Sequence, residues 1–493
     1  MTRTRPAAVI VLAAGGGTRM KSQTPKVLHA IGGRSLVGHA LRAARSVGPD
    51  HLVVVVGHGR DQVGPAVSAS DPGVTLVVQE DQLGTGHAVQ IALAELPALS
   101  GTVLVTYGDV PLLAGDTLAE LVRQHESDDN AVTVLTARVD DPTGYGRVVR
   151  AADGGVSAIV EHKDATDDQL AIDEINSGIY AFDAAVLSDA LRRVGSDNAQ
   201  GELYLTDVVG IARGDGRRTG AFETTDRWQT EGVNDRVQLA TLGAELNRRT
   251  LVRLMRAGVT VVDPASTWID DTVTVEPDVT VLPGVQLHGA TQIGAGATIG
   301  PDSTLTDVEV GAGASVVRTH GSGAVLGAGV NVGPFSYLRP GTVLGEGGKI
   351  GAFVEAKNAT IGAGSKVPHL SYVGDAEIGE QTNIGAGTIF ANYDGVKKHR
   401  TTIGSHCRTS SNNTFVAPVN VADGAATGAG TVVRRDVPPG ALAVSSGPQR
   451  HIEDWVVTKR AGTPAAEAAL KAQQASGDTD PVPSGDTAEE NDR

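Results

Sequence analysis

The sequence predicts an α/β chain with two unlike halves: a doubly wound α/β domain over residues 1–236, then a parallel β-helix over residues 258–459. Three observations predict this. Short apolar runs (AVIVLA, HLVVVVG, VTLVVQ, GTVLVTYGD and AVTVLTA) alternate with longer mixed stretches between residue 8 and about residue 235, as buried parallel strands do when helices cover both sheet faces. Beyond residue 258 aliphatic residues fall every six positions, at Ile269, Val275, Val281, Leu287, Ile293, Ile299 and Leu305. Between these regions, residues 237–257 contain no proline, repeat apolar residues at helical spacing and end at Gly258, which predicts one linking helix.

In chain order, the first run flows straight into Gly15-Gly16-Gly17-Thr18-Arg19. With no separate cleavage region it reads as a buried strand and not as a signal peptide. Segments such as Leu36 to Val47 and His87 to Leu96 have helical length and spacing and complete the α/β pattern. In the second half the six-residue register resumes at Val332, Leu338, Leu344, Ile350 and Ala356, then at Ile361, Val367 and Val373, then at Ile378 and Ile384. Each aliphatic residue points into a prism and small residues turn its corners. Two interruptions, Ala391 to Thr402 and the region around His320, are expected as loops protruding from one face. Residues 460–493 have no aromatic residue and are rich in Ala, Ser, Gly, Asp and Glu, so disorder is expected there.

Composition narrows the function. The 493 residues carry a formal charge of −16, which argues against broad binding to nucleic acid or anionic membranes, since both need summed basic charge. Any anionic ligand requires a local pocket. No stretch approaches the ~20 apolar residues that span a bilayer. The single cysteine, Cys407, excludes an internal disulfide framework and fits a reducing, cytoplasmic setting in which it is a small packed residue.

The loop Leu12-Ala13-Ala14-Gly15-Gly16-Gly17-Thr18-Arg19-Met20 follows a predicted strand, and Lys26 comes shortly after. Its glycines let backbone N–H groups approach phosphates. It is no Walker A loop, and Met20 stands at the third glycine of a dinucleotide fingerprint. Asp109 ends the strand VLVTYGD, after Tyr107 and Gly108, at the sheet edge where α/β enzymes hold ligands. The loop together with PKVLH (Pro25 to His29) resembles the signature of the sugar-nucleotide pyrophosphorylases. That resemblance implies that Leu12 to Gly15 hold a nucleoside triphosphate while Arg19 and Lys26 offset phosphate charge. It also implies Mg2+ on Asp109 and Asn234, a donor pair that suits a hard octahedral cation.

Over everything except the tail, the chain resembles a bacterial family of bifunctional N-acetylglucosamine-1-phosphate uridyltransferases and glucosamine-1-phosphate acetyltransferases. The resemblance implies that Gln79, Gly84 and Thr85 (QEDQLGTGHA) meet uracil and its surroundings, and that Gly146 (GYGRVV), Glu161 (IVEHKDA) and Asn176 (INSGIY) hold the N-acetylglucosamine moiety. The left-handed sense of the β-helix is likewise an implication of resemblance, here to hexapeptide-repeat proteins.

Polar residues are few in β-helix walls, yet Arg339, Glu355, Lys357, His369, Tyr372, Asn383, Asn392 and Tyr393 cluster in one stretch. Arg339 and Lys357, eighteen residues apart, are expected on one face of adjacent coils as a basic patch for a sugar phosphate. Acetyl transfer to an amine needs a base that titrates near neutral pH. Histidine is the residue type suited to that role, and His369 in PHLSY is the candidate, a general base being worth ~10²–10⁴-fold. Family resemblance implies Glu355 as its orienting carboxylate. It further implies Arg339, Lys357, Tyr372, Asn383 and Lys398 on glucosamine-1-phosphate, and Ala386, Asn392, Tyr393, Ser411 and Ala429 on acetyl-CoA. Where many members carry an arginine at the CoA end, this chain has Ser446; Arg450 or a residue near Trp455 are alternatives that spacing does not separate. Fold analogy implies a homotrimer with acetyltransferase sites between subunits.

The leading expectation is a bifunctional enzyme of UDP-N-acetylglucosamine synthesis, supplying peptidoglycan precursors from acetyl-CoA, glucosamine-1-phosphate and UTP. Two alternatives compete with it. In one, only the first domain is active and the β-helix serves assembly; in the other, the chain is a non-enzymatic repeat scaffold, which leaves the glycine loop, Lys26 and Asp109 unexplained.

Overall fold

A computed structural model of the chain describes residues 5–445, 447 and 449–477. Residues through Ala443 form one compact unit and those from Val444 a second. In the first, nine strands build the N-terminal sheet: β1 (Ala8–Ala13), β2 (His51–Val56), β3 (Thr75–Val78), β4 (Thr102–Tyr107), β5 (Val132–Arg138), β6 (Arg147–Arg150), β7 (Val156–Val160), β8 (Glu174–Asp183) and β9 (Thr219–Glu223). The order is β9-β5-β8-β4-β1-β2-β3, with the β6–β7 hairpin attached to β8. Strand β1 runs parallel to both β2 and β4, whereas β8 is antiparallel to β4 and β5.

Alternation along β1 explains its unbroken apolar run: Ala8, Ile10 and Leu12 enter one core while Val9, Val11 and Ala13 enter another. Both faces are therefore covered, as a doubly wound sheet requires. The strand order reverses at β1, so the carboxyl ends of β1 and β4 open the crevice expected at such a switch point.

The helix Arg236–Arg256 opens with Asp235 capping the backbone N–H of Gln238 at 2.8 Å. Its Leu242 and Leu246 pack with Met20, Ile31 and Leu36 of the N-terminal half. Its Leu251 and Leu254 enter the β-helix core, so this one helix joins two cores. An ion pair between Arg42 and Asp271 adds a second tie.

The C-terminal half is a left-handed parallel β-helix. Three stacks of short strands run through it. The first face aligns Thr280, Thr298, Ser315, Asn331, Lys349 and Lys366; the second aligns Gln286, Thr304, His320, Tyr337, Glu355 and Tyr372; the third aligns Gln292, Glu309, Val325, Val343, Thr360 and Glu377. The residue after each points inward, and Leu287, Ile299, Leu305, Leu338, Ile350, Ile361, Val367 and Val373 are wholly buried.

The two expected interruptions have different outcomes. Around His320 the expectation of a protruding loop is wrong. Leu305 pairs with Gly321 and Val316 with Val332, sixteen positions on in each case, so the coil is shortened and His320 lies in the strand Thr319–Ser322. At Ala391 to Thr402 the chain does protrude: Tyr372 pairs with Ile389, seventeen on, but Ala376 with Thr401, twenty-five on.

In the second unit, residues 464–477 form a helix, Pro464–Gly477, where disorder was expected. Its Ala, Glu, Lys and Gln content favours helix strongly and proline is tolerated at a first turn. A shorter helix, Trp455–Lys459, precedes it. Ser446 and residues 478–493 lie outside the described residues.

Candidate active sites

At the carboxyl ends of β1 and β4 lies a cleft of about 380 Å³. Leu12, Ala13, Ala14, Gly15, Lys26, Gln79, Gly84, Thr85, Tyr107, Asp109 and Asn234, all singled out from the sequence, line it. The Lys26 ammonium forms an ion pair with Asp109 and lies 3.5 Å from Oδ1 of Asn234. A lysine cation thus already occupies the space between a carboxylate and an amide oxygen. The same space fits a hard divalent cation, because these two oxygens with phosphate and water oxygens make a suitable donor set. Among the described residues no group of three or more His, Cys, Asp or Glu gathers as a metal site.

On the far wall, Gly84 takes φ +105° and a Cβ there would stand 2.6 Å from the Leu203 carbonyl oxygen. Gln79 donates to the Gly84 carbonyl at 3.1 Å, and the Thr85 hydroxyl accepts from the Leu205 N–H at 3.1 Å. A planar polar group can be read here by the Gln79 amide and neighbouring main chain.

Gly146, Glu161 and Asn176 form a separate cluster: a Cβ on Gly146 would lie 3.4 Å from the Cβ of Asn176 and 3.5 Å from Oε1 of Glu161. Burial, then Asp164 and Asp207, pushes the Glu161 carboxyl up. Tyr107 joins cluster and cleft, since its hydroxyl is raised by burial and then by Glu161 and Asp109. Gly108 lies beneath, donating to the Leu12 carbonyl at 2.9 Å. Arg19 is exposed on the short turn Thr18–Met20, outside the cleft lining. Sequence reasoning missed Gln82, which donates to the Ala14 carbonyl at 2.9 Å, and Glu202 in the lining; neither carries a spacing signal.

On the β-helix, Arg339 and Lys357 occupy neighbouring coils through the pairing Leu338 with Ala356. Lys398 reaches the same spot from the protruding loop, and its contact with Lys357, with Arg339 adding, pulls the Lys357 ammonium below its ordinary range. The three cations lie near one another, with Glu355 paired to Arg339 and Asp375 partly offsetting the two lysines, an arrangement able to take an anion. Asp375, missed from sequence, accepts from Asn392 at 2.5 Å and from Asn358 at 2.7 Å. Asn392 also faces the Tyr372 hydroxyl at 3.4 Å, and Tyr393, exposed, turns its hydroxyl to the Gly395 carbonyl at 2.6 Å.

Within one chain, Glu355 forms no hydrogen bond to His369. Glu355 accepts from Arg339 at 2.9 Å, a diagonal contact between neighbouring coils whose register sets Tyr337 opposite Glu355, whereas His369 belongs to the first face and Glu355 to the second. The exposed His369 heads a corner column: Gly387 donates to the His369 carbonyl, Asn412 to that of Ala386 and Gly430 to that of Ser411. His369, Ala386, Ser411 and Ala429 are therefore stacked on successive coils. Asn383 lies in the first face between Lys366 and Arg408, apart from the cationic cluster. Between the two groups runs a ridge of exposed bulky residues at left-handed φ, Phe335 (+59°), Phe353 (+57°) and Leu370 (+48°), with the two rings stacked at 5.3 Å.

The model of the MobA-like NTP transferase domain matches residues 9–164. A protein of Pseudarthrobacter chlorophenolicus described as "Bifunctional protein GlmU" is 64% identical over 95% of this chain and 96% of its own length. One of the same description from Kineococcus radiotolerans is 64% identical over 96% of each chain, and one from Mycobacterium sp. is 60% identical over 96% of this chain and 95% of its own. A solved structure of UDP-glucose pyrophosphorylase complexed with UDP-glucose aligns at TM-score 0.41 and 15% identity over 50% of this chain and 99% of that one, too remote to bear on the argument.

Proposed function

The chain belongs to the bifunctional GlmU family and is a bifunctional nucleotidyltransferase and acetyltransferase, and on that premise we propose how its residues divide the work. The β-helix acetylates glucosamine-1-phosphate with acetyl-CoA; the N-terminal cleft then transfers UMP from UTP to N-acetylglucosamine-1-phosphate and releases pyrophosphate.

The observation that carries the first half is the convergence of Arg339, Lys357 and Lys398, which a scaffold does not need. They hold the phosphate, with Tyr372 and Asn392 nearby. His369 removes the proton from the substrate ammonium so that nitrogen attacks the thioester carbonyl and the C–S bond then breaks to release the CoA thiol; the column Ala386, Ser411, Ala429 flanks the acetyl-CoA arm, with backbone N–H groups near Ala386 facing the oxyanion. Asn383 and Tyr393 belong to the same assignment.

In the cleft, Gln79, Gly84 and Thr85 receive uracil, the loop Leu12 to Gly15 the triphosphate, and Gly146, Glu161 and Asn176 the sugar. Lys26 and the exposed Arg19 draw charge from the phosphates as the sugar phosphate oxygen attacks the α-phosphorus. Asp109 and Asn234 would hold Mg2+, which supplies Lewis-acid neutralisation of phosphate charge when bound.

We further propose a homotrimer, because His369 and Asn383 lie on one face and the cationic cluster on another, with the apolar ridge Phe335–Phe353–Leu370 between them. A second copy docked on the ridge covers the apolar surface and completes the site. No helix among the described residues is long and apolar enough to cross a membrane, and Cys407 is buried and free; we place the protein in the cytoplasm.

The test is CoA thiol release from acetyl-CoA and glucosamine-1-phosphate without UTP. Release that depends on the amino sugar supports the reading. A folded protein that performs uridylyl transfer without thiol release reduces the β-helix to an assembly element.

A further inference from the structure

One hydrogen bond links the sugar cluster to the extended segment that bears Asn234 and precedes the linking helix. The Tyr145 hydroxyl donates to Oε2 of Glu231 at 3.0 Å. Tyr145 immediately precedes Gly146, whose carbonyl accepts from the Asn176 N–H at 2.9 Å. Its ring packs with Ala137, Val139 and Ile175, so the hydroxyl is held by a fixed body. On the other side, Glu231 leads through Gly232 to Val233, which donates to the Asp109 carbonyl at 2.9 Å, and to Asn234 beside Lys26. Glu231 forms no ion pair among the described residues; Tyr145 is its hydrogen-bond partner.

We propose that Tyr145 and Glu231 are positioning residues that set the separation between the sugar wall and the Asp109/Asn234 pair. The proposal rests on the uridylyl-transfer reading of the cleft. A sugar 1-phosphate spans that separation, with its sugar on Gly146, Glu161 and Asn176 and its phosphate by Lys26. The nucleotide wall of Gln79, Gly84 and Thr85 is built on other segments. The bond therefore acts on the sugar phosphate and the divalent cation, and leaves uracil recognition alone. A shift of ~1 Å in such a span costs on the order of a hundredfold in rate when alignment governs transfer.

The experiment compares Tyr145→Phe, Glu231→Ala, Glu231→Gln and the Tyr145→Phe/Glu231→Ala double variant of the full chain. KM for N-acetylglucosamine-1-phosphate and the Mg2+ half-saturation are expected to rise about tenfold in Tyr145→Phe and Glu231→Ala, with KM for UTP unchanged. Glu231→Gln, whose amide oxygen still accepts, retains most of the parent behaviour, and the double variant is no worse than either single. Additive losses, or an equal rise in KM for UTP, overturn the proposal. Amide hydrogen exchange across residues 231–234 is the second readout. It is expected to quicken in Tyr145→Phe without change at Gln79 to Thr85, and unchanged exchange overturns the latch whatever the activity. A parent protein without uridylyl transfer would instead sink the functional reading, while the exchange comparison still judges the latch.

Discussion

A Cβ atom on Gly17 would stand 2.5 Å from the Cβ of Lys26. Gly17 also has φ +58°, a region L side chains avoid. Only glycine lets the loop close against the lysine that reaches Asp109. Gly17→Ala is expected to lower uridylyl transfer at least about tenfold while leaving sugar-dependent CoA thiol release at the parent rate. Equal loss of both activities would point to general misfolding instead.

The Lys26 ammonium pairs with Asp109, the proposed cation ligand. A divalent cation and the lysine therefore compete for the same carboxylate while nucleotide is absent. In Lys26→Gln, Mg2+ binding to the nucleotide-free protein should tighten several-fold by calorimetry, even as uridylyl transfer falls. Unchanged Mg2+ affinity would show that the lysine leaves Asp109 at no cost.

Periodicity made most of this architecture legible, because strands buried on both faces and six-residue coils each impose a hydrophobic count that a chain must keep. The count failed where Gly321 replaced the inward aliphatic residue and the coil shortened to sixteen; a missing side chain looked like an insertion. Cleft residues were legible because they sit in contiguous motifs at strand ends. The bond between Glu355 and Arg339 was not, since it runs diagonally between neighbouring coils, where register sets Glu355 opposite Tyr337. Tyr145 and Glu231 have no motif spacing at all, and their relationship exists only in three dimensions.

Lys398 approaches Lys357 and, with Arg339, holds its ammonium below the ordinary range. Asp375 offsets only part of this repulsion, so a bound phosphate relieves the rest. Lys398→Ala is expected to return Lys357 to the usual lysine range, read by ¹⁵N NMR of the labelled ammonium, and to raise KM for glucosamine-1-phosphate about tenfold. A shift in Lys357 titration without any change in KM would remove the cluster from substrate binding.

His125 is 3% exposed, and burial lowers its pKa to about 4, with Asp183 and Asp129 opposing. Its Nδ1 lies 3.0 Å from the Thr133 hydroxyl. The unfolded chain takes up this proton near pH 6.5 and the folded chain does not, so the neutral imidazole contributes its full stability above about 6.5. That contribution, up to roughly 3 kcal/mol for a shift of this size, is lost as pH falls toward about 4. Urea unfolding at pH 7.5 and pH 5 should show a fall in the parent that His125→Gln reduces.

Glu355 accepts from Arg339 at 2.9 Å and makes no hydrogen bond to His369. Two roles for the carboxylate therefore predict different kinetics. As a partner of Arg339 it fixes a phosphate-binding guanidinium, and Glu355→Gln, which can still accept from arginine, changes KM for glucosamine-1-phosphate by no more than a few-fold. As an orienter of the base it would set the acid limb of the pH–rate profile, and the same substitution would move that limb and lower kcat by about a hundredfold. The hydrogen bond to Arg339 favours the first outcome, with the pH profile of thiol release retaining the parent's shape in Glu355→Gln and collapsing only in His369→Ala. A displaced acid limb in Glu355→Gln would mean that a neighbouring subunit brings the carboxylate to the histidine in the assembled enzyme, and that the pairing with Arg339 gives way there.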